Sequence, residues 1–172
     1  KIETLIIENS QNYIVGNPAD VNTQIGPLAS LKQYSKVRSY IQLGINEGAK
    51  LIVGDLPKSV EELGDEGYYV KPTVFTNVNN QMRIAREEIF GPVICVITYE
   101  TVAEAIKIAN DTDYGLSGAV FGPDELANKV ALAIRTGSIA VNEGKRDIDA
   151  PFGGYKQSGI GREGGIQGVE EF

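Results

Sequence analysis

The sequence predicts an α/β fold, a parallel sheet flanked by helices, and three observations predict it. Short apolar runs alternate with segments of helical periodicity, the connections are short, and helix-start signals stand just ahead of the periodic segments. Strand and helix alternating in this way favour right-handed crossovers and parallel strands. In such sheets ligands collect beyond the carboxyl ends of the strands.

The elements follow in order. After Gly26-Pro27, Ser30 with Gln33 three residues on is a capping-box signature, and Tyr34, Val37, Ile41, Ile45 and Gly48 fall on one helical face. A helix is predicted over 31–47. Leu51-Ile52-Val53 is a short strand, residues 54–67 with Pro57 form a solvated loop, and Tyr68-Tyr69-Val70 and Thr73-Val74-Phe75-Thr76 are extended around Pro72. The nearly continuous apolar run Val93-Ile94-Cys95-Val96-Ile97-Thr98-Tyr99 predicts a central parallel strand covered on both faces. Thr101 and Glu104 make a second capping box, leading a helix whose stripe is Val102, Ala105, Ile106 and Ala109. Gly118-Ala119-Val120-Phe121 resumes the sheet. Pro123 at a first helical position, with Asp124 and Glu125 near the positive end of the dipole, opens a helix lined by Leu126, Val130, Ala133 and Ile134 and stopped by Gly137. Ser138-Ile139-Ala140-Val141-Asn142 is the next strand.

Bulk properties narrow the function. A chain of 172 residues with 42% hydrophobic content can bury a core, as one globular domain or a large piece of one. A formal charge of -7 argues against a phosphate-backbone footprint, so small molecules or proteins are the expected partners, with no nucleic acid. One cysteine and no histidine exclude an internal disulfide, a His-based zinc site and a Ser/His/Asp or Cys/His apparatus within these residues, and no metal site is expected. No apolar stretch is long enough to span a bilayer and the first residues lack the apolar core of a signal peptide, so no membrane partner and a reducing, cytoplasmic setting are expected. A start at Lys1 and an end at Phe172 lead to the expectation of a fragment.

Few residues could carry chemistry. Glu87 and Glu88, judged on composition alone, are solvated acids at a helix end. A carboxylate also offers two acceptor oxygens in one plane, the arrangement a ribose diol requires. Gly91-Pro92 is a turn in which glycine permits close approach and proline fixes the entry angle. Cys95, between Ile94 and Val96, fits a small core residue whose thiol pKa is raised by burial better than it fits a nucleophile. Phe152-Gly153-Gly154 fits a tight loop or a pocket wall equally well. The glycines from 153 to 168 lack a phosphate-loop pattern, and 159–164 match dinucleotide spacing without following a strand directly.

Two runs, Arg86-Glu87-Glu88-Ile89-Phe90-Gly91-Pro92-Val93 and Ala150-Pro151-Phe152-Gly153-Gly154-Tyr155-Lys156-Gln157-Ser158-Gly159-Ile160-Gly161-Arg162-Glu163, together resemble the second half of the catalytic domain of the NAD(P)-dependent aldehyde dehydrogenase superfamily. Val15-Gly16-Asn17-Pro18, Gln24-Ile25-Gly26-Pro27-Leu28, Tyr68 to Val74 and Asp113-Tyr114-Gly115-Leu116 read like family segments in the same order. The resemblance implies that residues 1–172 are a single partial domain, the rear part of the catalytic domain, with the cofactor-binding domain and the nucleophile segment absent. It implies that Glu88 is a nicotinamide-ribose ligand, Phe90 the aromatic beside the nicotinamide, and Phe152 a substrate-tunnel aromatic. Lys156 and Arg162 are implied to be structural. No catalytic residue is expected within the chain, since the family's nucleophile, acid/base glutamate and oxyanion-hole asparagine lie upstream.

The implied activity of the complete protein is oxidation of an aldehyde to a carboxylic acid with NAD or NADP through an upstream cysteine thioester, in a homo-oligomer. The isolated segment is expected to be inactive. Residues 143–149, following Asn142, form a charged loop that suggests a polar or acidic aldehyde if it borders the tunnel, although ordinary surface polarity explains it as well. An acylating aldehyde dehydrogenase and a non-catalytic binding or assembly module are the rival readings.

Overall fold

The computed structural model describes residues 2–63, 67–144, 147 and 149–172. It divides into two compact units, Lys1–Thr98 and Tyr99–Phe172.

The first unit contains α1 (Ile2–Ser10), α2 (Leu31–Asn46), β1 (Lys50–Val53), α3 (Val60–Leu63), β2 (Thr73–Thr76), α4 (Arg83–Arg86) and β3 (Val93–Cys95). The start of α2 is where the capping signature placed it: Ser30 is extended and its Oγ accepts from the Gln33 amide at 3.2 Å. Tyr34, Val37, Ile41 and Gly44 are its buried face. Ile45, predicted for that face, is exposed, and Gly44 closes the stripe instead. A Cβ at Gly44 would lie 2.9 Å from Phe75 Cζ, so the missing side chain is what lets the aromatic pack there. Around Phe75 the core gathers Tyr34, Val37, Ile41, Ala49, Val70, Val78, Ile84 and Ile89.

The sheet order is β1-β2-β3, with β2 antiparallel to β1 and parallel to β3. All four residues of β2 are buried, so β2 is the central strand. The run 93–99 is therefore not the central strand expected from its apolar content. Only Val93–Cys95 is strand, it lies at the sheet edge among the described residues, and Ile94 is 61% exposed. An apolar run reports a demand for burial, and that demand does not specify a place in the strand order. The predicted loop 54–67 contains the short α3, residues 64–66 lie outside the described set, and Tyr68 to Val70 form no strand.

The second unit contains α5 (Val102–Asn110), β4 (Tyr114–Gly115), β5 (Ser117–Val120), α6 (Asp124–Ala133), β6 (Ser138–Val141), β7 (Tyr155–Lys156) and α7 (Gly165–Glu170). Strands β5 and β6 pair in parallel from Ser117↔Ser138 to Val120↔Val141, with α6 as the crossover. The predicted β-α-β unit is present. Pro123 caps α6 from outside rather than opening it, because its ψ of 133 is extended. The inner face of α6 is Ala127 and Ala131, with Val130 and Ile134 half-buried, whereas Leu126 and Ala133 are exposed. Small side chains let this helix sit close on its strands. The cap of α5 is as predicted, Thr101 Oγ1 accepting from the Glu104 amide at 3.2 Å, but none of its stripe is fully buried. Among the described residues the strands form one three-stranded and two two-stranded sheets, with parallel pairs β2/β3 and β5/β6. The fold class is α/β, without one continuous sheet across the described residues.

Candidate functional site

The chain leaves α4 at Glu87, whose φ of -101 and ψ of 139 begin an extended stretch. Successive side chains of extended backbone point to opposite sides. Ile89 enters the core and Glu88 faces outward, and Phe90, whose backbone leaves the extended region, is exposed as well. Phe90 is 70% exposed and has φ of 60, the left-handed region that a bulky residue adopts only when its surroundings impose it.

Helix α2 imposes it. Glu47, at the end of α2, accepts from the amides of Arg83 and Ile84 at 2.9 and 3.3 Å, capping α4. Tyr40 donates its hydroxyl to Glu87 Oε2 at 2.5 Å, Lys36 Nζ donates to the Glu88 carbonyl at 2.7 Å, and Gln33 Nε2 donates to the Phe90 carbonyl. Residues 33, 36, 40 and 47 recur at helical spacing and so share a flank of α2, and they meet 83–90 in reverse order. The motif runs antiparallel along the helix, held at four points. Gly91 completes the contact: a Cβ there would lie 2.5 Å from Cγ2 of the buried Val37.

Between the motif and β3 lies a hollow of about 310 Å³ bordered by Glu87, Glu88, Phe90, Val93, Cys95 and Ile97. No described residue hydrogen-bonds the Glu88 carboxylate, so both of its oxygens remain available to a ligand. Glu87 is the opposite case. Arg83 Nε and Nη2 reach its two oxygens at 2.6 and 2.9 Å, and these bonds, with that from Tyr40, lower its pKa from 4.5 to about 2. The same bond to Glu87 raises the Tyr40 pKa. Because the folded pKa of Glu87 is depressed, its contribution to stability is present above the ordinary carboxylate pKa and is lost as pH falls through the folded value. The stability gap between the parent and Glu87→Gln is therefore expected to narrow from pH 4.5 to about 2. Urea midpoints measured across that window check this, and a gap independent of pH would contradict it.

Cys95 ends β3, half-buried, with Sγ 3.4 Å from the Ile84 carbonyl, and burial pushes its thiol up to about 11. A thiol so protonated at neutral pH is no nucleophile. Among the described residues no cluster of three or more His, Cys, Asp or Glu could hold a metal.

In the second unit Phe152 is half-buried and borders a hollow of about 370 Å³ with Ser117, Ser138, Ala140, Asp147 and Pro151. It is held by reciprocal backbone bonds with Glu163, both 2.7 Å. Lys156 donates to the carbonyls of Asn110 and Thr112 at 2.9 Å each, and Arg162 donates to those of Gly154, Ile160 and Gly161 while lying over the Tyr155 ring. Both cations pin loop backbone. Asn142, with φ of 52, accepts from the Gly122 amide at 2.9 Å and donates to Asp124 Oδ1 at 2.7 Å, tying the end of β6 to the start of α6. Three residues of the charged loop 143–149, Lys145, Arg146 and Ile148, lie outside the described set.

Thus Glu88 and Phe90 border one hollow in the first unit, and Phe152 borders another in the second. Sequence reasoning missed Gln33, Lys36, Tyr40 and Arg83 as the residues that hold the first site. The signal for the first three was a polar flank beside the apolar stripe of α2.

Both units are thus α/β frames whose loops, pinned by hydrogen bonds, present acidic and aromatic side chains at hollows. The profile of the aldehyde dehydrogenase family matches residues 2–172, and the chain belongs to that family. It is 54% identical over 170 residues to a protein named as an aldehyde dehydrogenase in Staphylococcus saprophyticus, covering 98% of this chain and 35% of that protein. A protein so named in Staphylococcus aureus is 56% identical over 159 residues, covering 92% and 33%. Among solved structures, a mutant of aldehyde dehydrogenase C from Pseudomonas syringae complexed with NAD+ and octanal superposes with a TM-score of 0.92 at 47% identity, over 99% of this chain and 35% of that one. Betaine aldehyde dehydrogenase from Staphylococcus aureus in complex with NAD+ gives 0.90 at 42%, over 99% and 34%. The chain spans about a third of the length of these relatives. Among the described residues no helix is long and apolar enough to cross a membrane.

Proposed function

We propose that the complete protein oxidises an aldehyde to a carboxylic acid with NAD or NADP, and that residues 1–172, a partial catalytic domain, supply the nicotinamide end of the cofactor site and part of the substrate wall. The observation that carries the proposal is the outward pair Glu88 and Phe90, a carboxylate without a hydrogen-bond partner among the described residues next to an exposed aromatic in a strained backbone conformation. These residues fit the group: Glu88 accepts hydrogen bonds from a ribose diol, and Phe90 packs beside the nicotinamide ring. The bound cofactor supplies the hydride acceptor. Holding its ring near the substrate lowers the barrier, because correct placement of reacting atoms is worth several kcal/mol, about 7 to 11 in favourable cases.

Phe152 shapes the passage for the aldehyde. The covalent step belongs to a cysteine elsewhere in the complete protein, since Cys95 is the single cysteine of these residues and its thiol stays protonated. The isolated segment is accordingly inactive. A cytoplasmic homo-oligomer, free of nucleic acid, is the setting this reading carries.

Replacing Glu88 with Ala in the complete enzyme tests the reading. We expect kcat/KM for the nicotinamide cofactor to fall about tenfold or more, in line with losing a paired hydrogen bond to the ribose. A value within about twofold of the parent would overturn the ribose assignment.

A further inference from the structure

We propose that Tyr40 and Arg83, acting through Glu87, are positioning residues that set the direction in which Glu88 and Phe90 face; the proposal rests on the cofactor reading of that pair.

Glu87 is the last point at which the chain touches α4 and the first of the extended stretch. Its two carboxylate oxygens take three bonds from two helices, two from Arg83 on α4 and one from Tyr40 on α2. Neighbouring side chains in extended backbone point to opposite sides, so drawing the Glu87 carboxylate to α2 turns that of Glu88 away. At the other end Gln33 holds the Phe90 carbonyl. A peptide segment gripped at both ends cannot rotate about its own axis, and the ligand-facing pair is fixed before a ligand arrives. Stability alone does not account for the network. The Arg83–Glu87 pair is an exposed i,i+4 ion pair, with side chains 60% and 38% exposed, a type that adds little to folding. What it does supply is direction.

The test uses the complete enzyme carrying Tyr40→Phe, Glu87→Gln, the double variant, and Glu88→Ala as reference, with kcat, KM for NAD+, KM for the aldehyde and Tm measured for each. Tyr40→Phe and Glu87→Gln should each lower kcat/KM for NAD+ by about five- to thirtyfold while the aldehyde KM stays within about twofold. The double variant should be no worse than the more impaired single one, because the two groups act as a unit. A merely structural network would lower Tm and leave the cofactor term of the folded enzyme unchanged, and that outcome overturns the proposal. So does a kcat/KM for NAD+ within about twofold of the parent in both single variants. The reference separates the two failures. If Glu88→Ala alone impairs cofactor use, the positioning role falls and the ribose assignment stands; if Glu88→Ala is also silent, the assignment itself falls and takes the positioning role with it.

Discussion

A Gly137→Ala variant is expected to lose about 3 kcal/mol or more of stability, and with it the seat of Phe152. An added Cβ would lie 1.6 Å from the Gly153 carbonyl oxygen and 3.1 Å from Gly154 Cα, so it would displace backbone, not the tip of a flexible side chain. That backbone has nowhere to go. A Cβ at Gly153 would itself lie 2.0 Å from the Gly161 oxygen, and Arg162 grips the Gly154, Ile160 and Gly161 carbonyls on the far side. Gly137 is also hydrogen-bonded to the Gly115 carbonyl at 3.1 Å, which fixes it against β4. Gly122→Ala is the control, because nothing lies within 4 Å of the Cβ it would add. Urea midpoints of the complete enzyme should drop for the first variant and hold for the second. Equal midpoints would show that the loop yields more easily than its bonds imply.

Gly91→Ala is expected to weaken cofactor binding by about tenfold and to cost roughly 1–3 kcal/mol of stability. Its Cβ would lie 2.5 and 3.0 Å from the two methyl carbons of Val37. Val37 is fully buried and β-branched on a helix, so its side chain has one favoured rotamer and cannot swing aside. The motif must instead move off α2, and the bond from Gln33 to the Phe90 carbonyl is the first to open. Adding Val37→Ala to Gly91→Ala makes room and should restore cofactor affinity even though it leaves a small cavity. Titration of NADH binding by fluorescence checks both variants; a double variant as weak as Gly91→Ala would contradict the steric account.

Local signals were legible wherever they agreed with each other. Ser30 with the stripe Tyr34, Val37 and Ile41 located α2, and the succession of an apolar run at 118–121, a helix opened near Pro123 and a second run at 138–142 pointed to the parallel βαβ unit that is present. Strand order was less accessible. Nothing in the apolar run 93–99 says that, among the described residues, its strand pairs on one side only, because pairing is decided by residues distant in the chain. Gly137 illustrates the same limit. It reads as a helix stop, yet α6 already ends at Ala133, and the glycine is required by the backbone of Gly153.

The site divides in the same way. Glu88, Phe90 and Phe152 were singled out by motif resemblance alone, since an acid and two aromatics carry no distinguishing local pattern, and each borders a hollow. The residues that hold the first pair were not legible, because Tyr40 and Glu87 are 47 residues apart and Gln33 and Phe90 are 57 apart. A polar flank on α2 shows that something is held there. Only the fold shows what.

The most direct measurement is a crystal structure of the complete enzyme with NAD+ bound. The account predicts both oxygens of the Glu88 carboxylate within hydrogen-bond distance, about 2.6 to 3.2 Å, of the nicotinamide-ribose hydroxyls, with the Phe90 ring against the nicotinamide and Tyr40 still bonded to Glu87. A Glu88 carboxylate turned to solvent while the cofactor is fully ordered would contradict it.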